Sequence, residues 1–186
     1  LKVFNKIING SISELQNKIF YREVESLERA EHPNVVKIEN KGFDKKLNSF
    51  YIVLEYISGN NLDQLFDVVI NWEFEDKIKI ASQIVDAVGY LHQKNIVHRD
   101  LKPSNIIIDD ENRVKIIDFG VSKIKDTFYS EYTVVNFATP KYAAPEQLAG
   151  KEVTIQSDIY SLGKIFYEVF SGENLKQDEK IQLDKI

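Results

Sequence analysis

The chain has 186 residues and a net charge of −5, from 24 Lys and Arg against 29 Asp and Glu; with no block of five like charges, neither a nucleic-acid surface nor a polybasic membrane patch is expected. A hydrophobic content of 43% and a charged content of 28% are those of a soluble globular chain able to bury a core, as one domain or two small lobes. Cysteine is absent, which excludes disulfides, thiolate zinc sites and a Cys nucleophile, and fits a cytoplasmic protein. No apolar run approaches the roughly 18 residues of a membrane span, so no membrane contact is expected. The chain also lacks Met and starts at Leu1 inside a strand pattern, which suggests a piece of a longer protein.

Leu1-Lys2-Val3-Phe4 alternates like a short sheet edge, Asn9-Gly10 makes a turn, and Ser13-Glu14-Leu15-Gln16 has the form of a capping box that starts a helix at about Glu14. His32-Pro33 stops that helix near Ala30. Ile19, Phe20, Leu27 and Ala30 share one face at the 3.6-residue period, with Glu23 in its middle. Burying an unpaired charge costs several kcal/mol. Either this face is partly open to solvent, then, or a cation reaches Glu23, and Lys2 on the preceding strand is the candidate.

Val35 to Glu39 and Ser49 to Tyr56 read as strands joined by the polar segment Asn40 to Asn48, and Phe50 to Ile57 is almost continuously apolar, as a central strand should be. Ser58-Gly59-Asn60-Asn61 breaks the pattern. Strands dominate before it and helices after it, which predicts a lobe boundary dividing 1–57 from 58–186. A short helix over Leu62 to Val69 and a long one from about Glu75 to Gln93 follow, the second with a core-facing stripe of Ile78, Ala81, Ile84, Val85, Val88 and Leu91.

Two short β-branched runs, Asn95-Ile96-Val97 and Ile106-Ile107-Ile108, then flank the polar octet His98-Arg99-Asp100-Leu101-Lys102-Pro103-Ser104-Asn105. Pro103 cannot donate a backbone hydrogen bond and biases Lys102 toward extended backbone, so the octet should be a loop rather than a helix. Asp109-Asp110-Glu111-Asn112 reads as a solvated turn rather than a metal site, and Arg113 to Ile117 as a returning strand. The octet and the next turn, Asp118-Phe119-Gly120, therefore open at one end of a small hairpin. Val121 to Tyr142 is long, hydroxyl-rich and without periodicity, as functional connections are. A last helix pattern spans Thr154 to Ser171, with Ile155, Ile159, Leu162, Phe166 and Val169 on one face and Gly172 ending it; Glu173 to Ile186 has no firm pattern.

Asp100, Asn105 and Asp118 offer oxygen ligands from two adjacent turns, which suits a hard cation such as Mg²⁺. Lys102 and Lys2 could neutralise phosphate oxygens while a carboxylate not held by metal orients a hydroxyl. Phosphoryl transfer needs that combination of positioning and charge neutralisation.

The octet, then Asp118-Phe119-Gly120, then Ala144-Pro145-Glu146 resemble, in order, the catalytic loop, metal-binding turn and activation-segment end of the eukaryotic-type protein kinases. The resemblance runs from about Lys2 to Gly172. It implies an α+β, two-lobed kinase fold, incomplete at both ends: a partial antiparallel-sheet N-lobe with one helix over 1–57, and a partial, mainly helical C-lobe over 58–186. Asp100 resembles the catalytic base, Lys102 the residue that steadies the transferring phosphate, and Asn105 and Asp118 the two magnesium ligands. Lys2 is similar to the strand lysine that holds the α/β-phosphates, and Glu23 to its helix partner. Leu54 would be the gatekeeper, with Glu55 and Ile57 offering backbone groups to adenine. His98 and Phe119 would pack with Leu27, and Asp158 would brace the catalytic loop. Lys102 and Thr139 place the resemblance with serine/threonine kinases, whereas Ser104 replaces an acidic residue and removes one reason to expect a basic substrate.

The resemblance further implies ATP and Mg²⁺ as cofactors, protein substrates as partners, and regulation in which Arg99 and Lys123 receive a phosphate on the activation segment, on Thr133 first and Thr127 or Ser130 second. No Gly-rich loop precedes Lys2, and the later helices with an arginine for Glu146 are not in the chain, so the fragment alone should be nearly inactive. Two alternatives stand beside an active kinase. A pseudokinase would use the fold for binding; a small-molecule phosphotransferase would not be expected to carry Lys102-Pro103 or Ala144-Pro145-Glu146.

Overall fold

The computed structural model describes residues 2–4, 14–119 and 139–175. Its first sheet has the order β1-β3-β2, all antiparallel, from β1 (Lys2–Phe4), β2 (Ile38–Asp44) and β3 (Ser49–Leu54). The nearly all-apolar β3 takes the centre, where both edges are paired and Phe50 and Ile52 are buried. Helix α1 (Glu14–Glu28) supplies Phe20, Val24 and Leu27 to the core, and Phe20 stacks on Phe50 of β3 at 4.2 Å between ring centroids.

A second antiparallel sheet, β4-β5-β6, is built from β4 (Gly59–Asn61), β5 (Ile106–Asp109) and β6 (Val114–Ile116). The segment that interrupts the first strand-rich stretch is thus itself a strand of this sheet. Gly59 has φ +154°, and a Cβ there would lie 2.4 Å from the Ile108 carbonyl oxygen and 2.8 Å from Asp109 Cα, so β4 can approach β5 only without a side chain. The two sheets are joined through the stretch before β2: Val36 N–H donates to Ile116 O at 2.9 Å and Ile116 N–H to Asn34 O at 2.8 Å.

Helix α2 is a single turn, Phe66–Val69, shorter than the predicted Leu62–Val69. The reason is local: Gln64 N–H donates to Asn61 Oδ1 and Asn61 N–H to Gln64 Oε1, which holds the preceding residues in a turn. Helix α3 (Phe74–Gln93) buries Lys77, Ile80, Ile84, Ala87, Val88 and Leu91. The predicted stripe is rotated, since Ile78 and Val85 are about half exposed. Lys77 belongs to the inner face because its stem is buried while its Nζ donates to Ile70 O at 2.8 Å, a snorkelling arrangement that apolar periodicity does not detect.

The expected strand at Asn95–Val97 does not form. Asn95 sits at φ +58° and Ile96 N–H donates back to Leu91 O at 2.9 Å, which makes the segment the left-handed cap of α3. The predicted strand Val35–Glu39 likewise shifts: only Val35 bridges β6, and β2 runs on through Asn40–Asp44, leaving a four-residue turn before β3. The final elements are α4 (Pro145–Leu148) and α5 (Ile155–Ser171). In α5 the inner face carries Asp158, Ser161, Ile165 and Glu168, whereas Ile155 and Ile159 of the predicted stripe point outward. Gly172 ends the helix at φ +73°, as expected.

Gly59→Ala should therefore lower stability by about 1–3 kcal/mol, read as a shift in urea midpoint; an unchanged midpoint would show that β4 can move off β5 without loss.

Candidate active site

The octet is a loop from His98 to Lys102 that closes with one 3₁₀ turn over Pro103–Asn105. Pro103 did not exclude this turn, because at its first position the missing N–H has no helical partner to lose. The loop's shape is dictated from beneath by Asp158 of α5, which is 1% exposed. Its Oδ2 accepts the His98 N–H at 2.8 Å, its Oδ1 accepts the Arg99 N–H at 2.9 Å, and His92 Nε2 of α3 lies 2.8 Å from Oδ2. A buried carboxylate is tolerable when its lone pairs are filled in this way. Arg99 is thereby held at φ +71°, a region in which a non-glycine residue persists only when its surroundings impose it.

His98, fully buried, uses both ring nitrogens. Nδ1 accepts the Asp100 N–H at 3.3 Å and Nε2 faces Ile117 O at 2.9 Å, which assigns the ring hydrogen to Nε2. Ile117 N–H in turn donates to Asn105 O at 3.0 Å. Ile117, the residue preceding Asp118, is thus clasped between His98 and Asn105, and Asp118 follows it at φ +65°. This clasp brings Asn105 and Asp118, far apart in sequence, to neighbouring turns. Leu27, His98 and Phe119 are all buried, with Leu27 and Phe119 in the common apolar core.

Above the clasp, Asp100, Lys102 and Thr139 form a closed polar triangle. Lys102 Nζ lies 2.8 Å from Asp100 Oδ2 and donates to Thr139 Oγ1 at 2.8 Å. Thr139 gives both its N–H and its hydroxyl to Asp100 Oδ1, each at 3.2 Å. Asn105 Nδ2 donates to the Asp100 backbone oxygen at 2.8 Å, which fixes the amide and leaves Oδ1 as its oxygen for a ligand. One amide oxygen and one carboxylate from adjacent turns form a donor set suited to a hard cation that keeps most of its shell for water or phosphate. Among the described residues no group of three or more His, Cys, Asp and Glu forms a metal cluster.

The stretch after Thr139 is anchored to α5. Glu168, 1% exposed, accepts from Tyr142 OH at 2.7 Å and from Leu175 N–H at 2.8 Å, and pairs with Lys141 at 2.5 Å. Burial and the Glu168 carboxylate hold the Tyr142 phenol well above its ordinary pKa. Glu146 accepts a hydrogen bond from Ser157 Oγ at 2.5 Å. Gln147, which sequence reasoning passed over, bonds to Ala144 N–H and to the Arg99 carbonyl. Glu168 and Gln147 carried only a weak sequence signal, as polar residues next to positions already singled out.

On the opposite side, Leu54 ends β3 and the chain runs on through Glu55 and Ile57. Glu55 N–H donates to Lys37 O, while Lys37 N–H and Lys115 Nζ both donate to Glu55 Oε1, at 2.9 and 2.6 Å. Burial pushes the Glu55 carboxyl up, but the bonds from Lys115 and the Lys37 amide, with the charges behind them, outweigh it and hold the carboxyl below its ordinary value. The Ile57 N–H has no protein partner among the described residues. Backbone pairing sets Lys2 opposite Ile52 of β3, and Glu23 is largely buried and accepts from Arg22 at 3.0 Å. The Lys2 side chain, Lys123, Thr127, Ser130 and Thr133 lie outside the described part. Asp109 ends β5, and its carboxylate closes the following turn by accepting the Glu111 and Arg113 amides and the Arg113 side chain.

The sequence profile of the protein kinase domain matches residues 2–186. The chain belongs to the protein kinase family. It is 35% identical over 153 residues to the serine/threonine-protein kinase PrkC of Bacillus subtilis, covering 82% of this chain and 23% of that protein. A probable serine/threonine-protein kinase of Clostridium acetobutylicum is 36% identical over 170 residues, 90% of this chain and 26% of that protein. For PknB of Mycobacterium leprae the figures are 34% over 157 residues, 83% and 25%. This kinase-family chain thus spans about a quarter of the length of these bacterial relatives. Its mixed α+β architecture, with antiparallel strands and helices, accords with a kinase domain. Among the described residues no helix is long and apolar enough to cross a membrane.

Two measurements test this wiring. Asp158→Ala should cost about 3–5 kcal/mol, because it strips a charge partner from a buried network, and should speed amide exchange at His98 and Arg99; normal protection there would refute its bracing role. The folded-state pKa of Glu55 lies below the ordinary 4.5, so its stabilisation is complete above about pH 4.5 and fades as pH falls through the lower folded value. Lys115→Met should flatten that acid-side loss, measured as denaturation midpoints between about pH 3 and 6. An acid limb as steep as that of the wild type would contradict the assignment.

Proposed function

We propose that this chain is the catalytic part of a protein serine/threonine kinase, which moves the γ-phosphoryl group of ATP to a serine or threonine hydroxyl of a protein substrate. The observation that carries the reading is the Asp100–Lys102–Thr139 triangle over the clasped Asn105 and Asp118 turns. A carboxylate has about four lone-pair sites. Thr139 donates twice to Oδ1, while Oδ2 faces Lys102 at 2.8 Å and, at the longer distance of 3.5 Å, Asn105 Nδ2, so the substrate hydroxyl would take the place of that long Asn105 contact on Oδ2. Asp100 would orient that hydroxyl and accept its proton, and the adjacent Lys102 ammonium would balance the charge spread over the transferring group.

Mg²⁺ held by Asn105 Oδ1 and Asp118 would neutralise the phosphates. Lys2, braced by Glu23, would hold the α/β-phosphates, and the Glu55 carbonyl with the Ile57 backbone would bind adenine. Such a site would sit where the proposed units 1–57 and 58–186 meet. Thr139, which bonds both Asp100 and Lys102, would couple activation-segment position to the catalytic pair. Arg99 and Lys123 would bind a phosphate on Thr133, or else on Thr127 or Ser130, and so order that segment. Cytoplasmic activity fits the cysteine-free composition.

In the full-length protein, Asp100→Ala and Asp118→Ala should each reduce ATP-dependent protein phosphorylation by about a hundredfold or more. Phosphorylation that persists in both would overturn the enzyme reading in favour of a scaffold role. Thr133→Ala should abolish any slow, ATP-dependent onset of activity; an unchanged time course would remove Thr133 as the switch.

A further inference from the structure

Gln147 makes one contact that helix capping explains and one that it does not. The side chain is 5% exposed. Its Oε1 accepts the Ala144 N–H at 3.0 Å, which caps the first turn of α4 and which a glutamate could do equally well. Its Nε2 donates to the Arg99 carbonyl at 2.8 Å, from 48 residues further along the chain. That carbonyl belongs to the peptide joining Arg99 to Asp100.

The same peptide gives its N–H, that of Asp100, to His98 Nδ1 at 3.3 Å. Its plane is therefore held at both polar atoms, on one side by the catalytic loop itself and on the other by Gln147. Arg99 needs such support, since its φ of +71° costs about 1–3 kcal/mol that neighbouring bonds must offset. Asp158 fixes the Arg99 N–H, but the carbonyl can rotate without breaking that bond. Rotation there would swing Asp100, the next residue.

We propose that Gln147 is a positioning residue for Asp100: it locks the Arg99–Asp100 peptide and so ties the helix after the activation segment to the catalytic carboxylate. The proposal rests on the reading of Asp100 as the residue that orients the substrate hydroxyl. Thr139 holds the Asp100 carboxylate from the front and Gln147 holds its backbone from behind. Catalytic competence would then require this one stretch of chain to be seated at both points.

The test compares Gln147→Glu and Gln147→Met with wild type in the full-length protein. Gln147→Glu keeps the cap but sets a carboxylate against the Arg99 carbonyl, so kcat should fall by about tenfold or more at neutral pH, with KM for ATP within about twofold of wild type. A protonated glutamic acid is shaped like glutamine and can donate through its hydroxyl. The ratio of variant to wild-type kcat should therefore climb as pH is lowered from about 8 to about 5.5, across the range expected for a buried carboxyl. Gln147→Met has nothing to titrate and should stay low and flat.

Amide exchange at Asp100 reads the same bond without turnover. Relative to wild type it should be faster in Gln147→Glu at neutral pH and recover on acidification. A Gln147→Glu ratio that follows Gln147→Met at every pH, or Asp100 exchange equal to wild type throughout, would overturn the positioning role. Absence of phosphorylation by wild type would instead defeat the kinase reading, and the exchange measurement would still decide whether Gln147 holds the peptide.

Discussion

The buried Asp158 carboxylate is the constraint on which the site depends. It comes from the first turn of α5 and takes three hydrogen-bonding partners, the His98 and Arg99 amides and the His92 ring. Those bonds turn an eight-residue polar stretch, which would otherwise sample many conformations, into one shape. Entropy alone makes this expensive, since ordering each residue costs about 1–2 kcal/mol. A charge-assisted bond in a low-dielectric interior is strong enough to hold such a loop. Everything above it inherits the geometry: the positive φ of Arg99, the ring orientation of His98, and through His98 the Ile117 peptide that aims Asp118.

The sequence carried the chemistry more clearly than the architecture. Asp100, Lys102, Asn105 and Asp118 stood out as polar residues gathered in two adjacent turns, and Thr139 through the family resemblance; the fold bonds Thr139 to both Asp100 and Lys102 and ties Asn105 to the residue before Asp118. Apolar elements were legible where a run is almost continuously apolar, as for β3. The reading failed where the inner face is polar. On α5 the predicted stripe ran through Ile155 and Ile159, whereas the helix turns Asp158, Ser161 and Glu168 inward. Periodicity ranks residues by transfer energy and assigns no value to a buried polar group that finds all its partners. Those partners, His98 and Tyr142 among them, lie far away in the chain.

A second kind of failure came from the backbone. Asn95-Ile96-Val97 has strand composition, yet Asn95 adopts the left-handed conformation that ends α3. Asn is the non-glycine residue that enters that region most readily, and its place directly after a long amphipathic helix was the available signal. Gly59 was correctly seen as a break but not as a strand, because its role is to lack a Cβ where two backbones nearly touch. Neither case could be decided by hydrophobicity.

The hairpin β5–β6 explains how the two ends of the site are kept in register. Its β5 strand follows directly from Asn105, and beyond β6 the chain passes through Ile117, whose N–H bonds back to Asn105. The β6 strand also carries Lys115, whose ammonium reaches Glu55 just after β3, and Ile116, whose backbone bonds both Asn34 and Val36 before β2. One short strand thus connects the turn proposed to bind metal, the segment proposed to bind adenine, and the link between the two sheets. A hairpin this short would be marginal alone. It is stable here because β4 completes a three-stranded sheet and buries Ile106, Ile108, Val114 and Ile116 against the core. Strain at Arg99 and Asp118 is therefore tolerated on a rigid support, so that a small displacement of β6 would be felt at both ends of the site together.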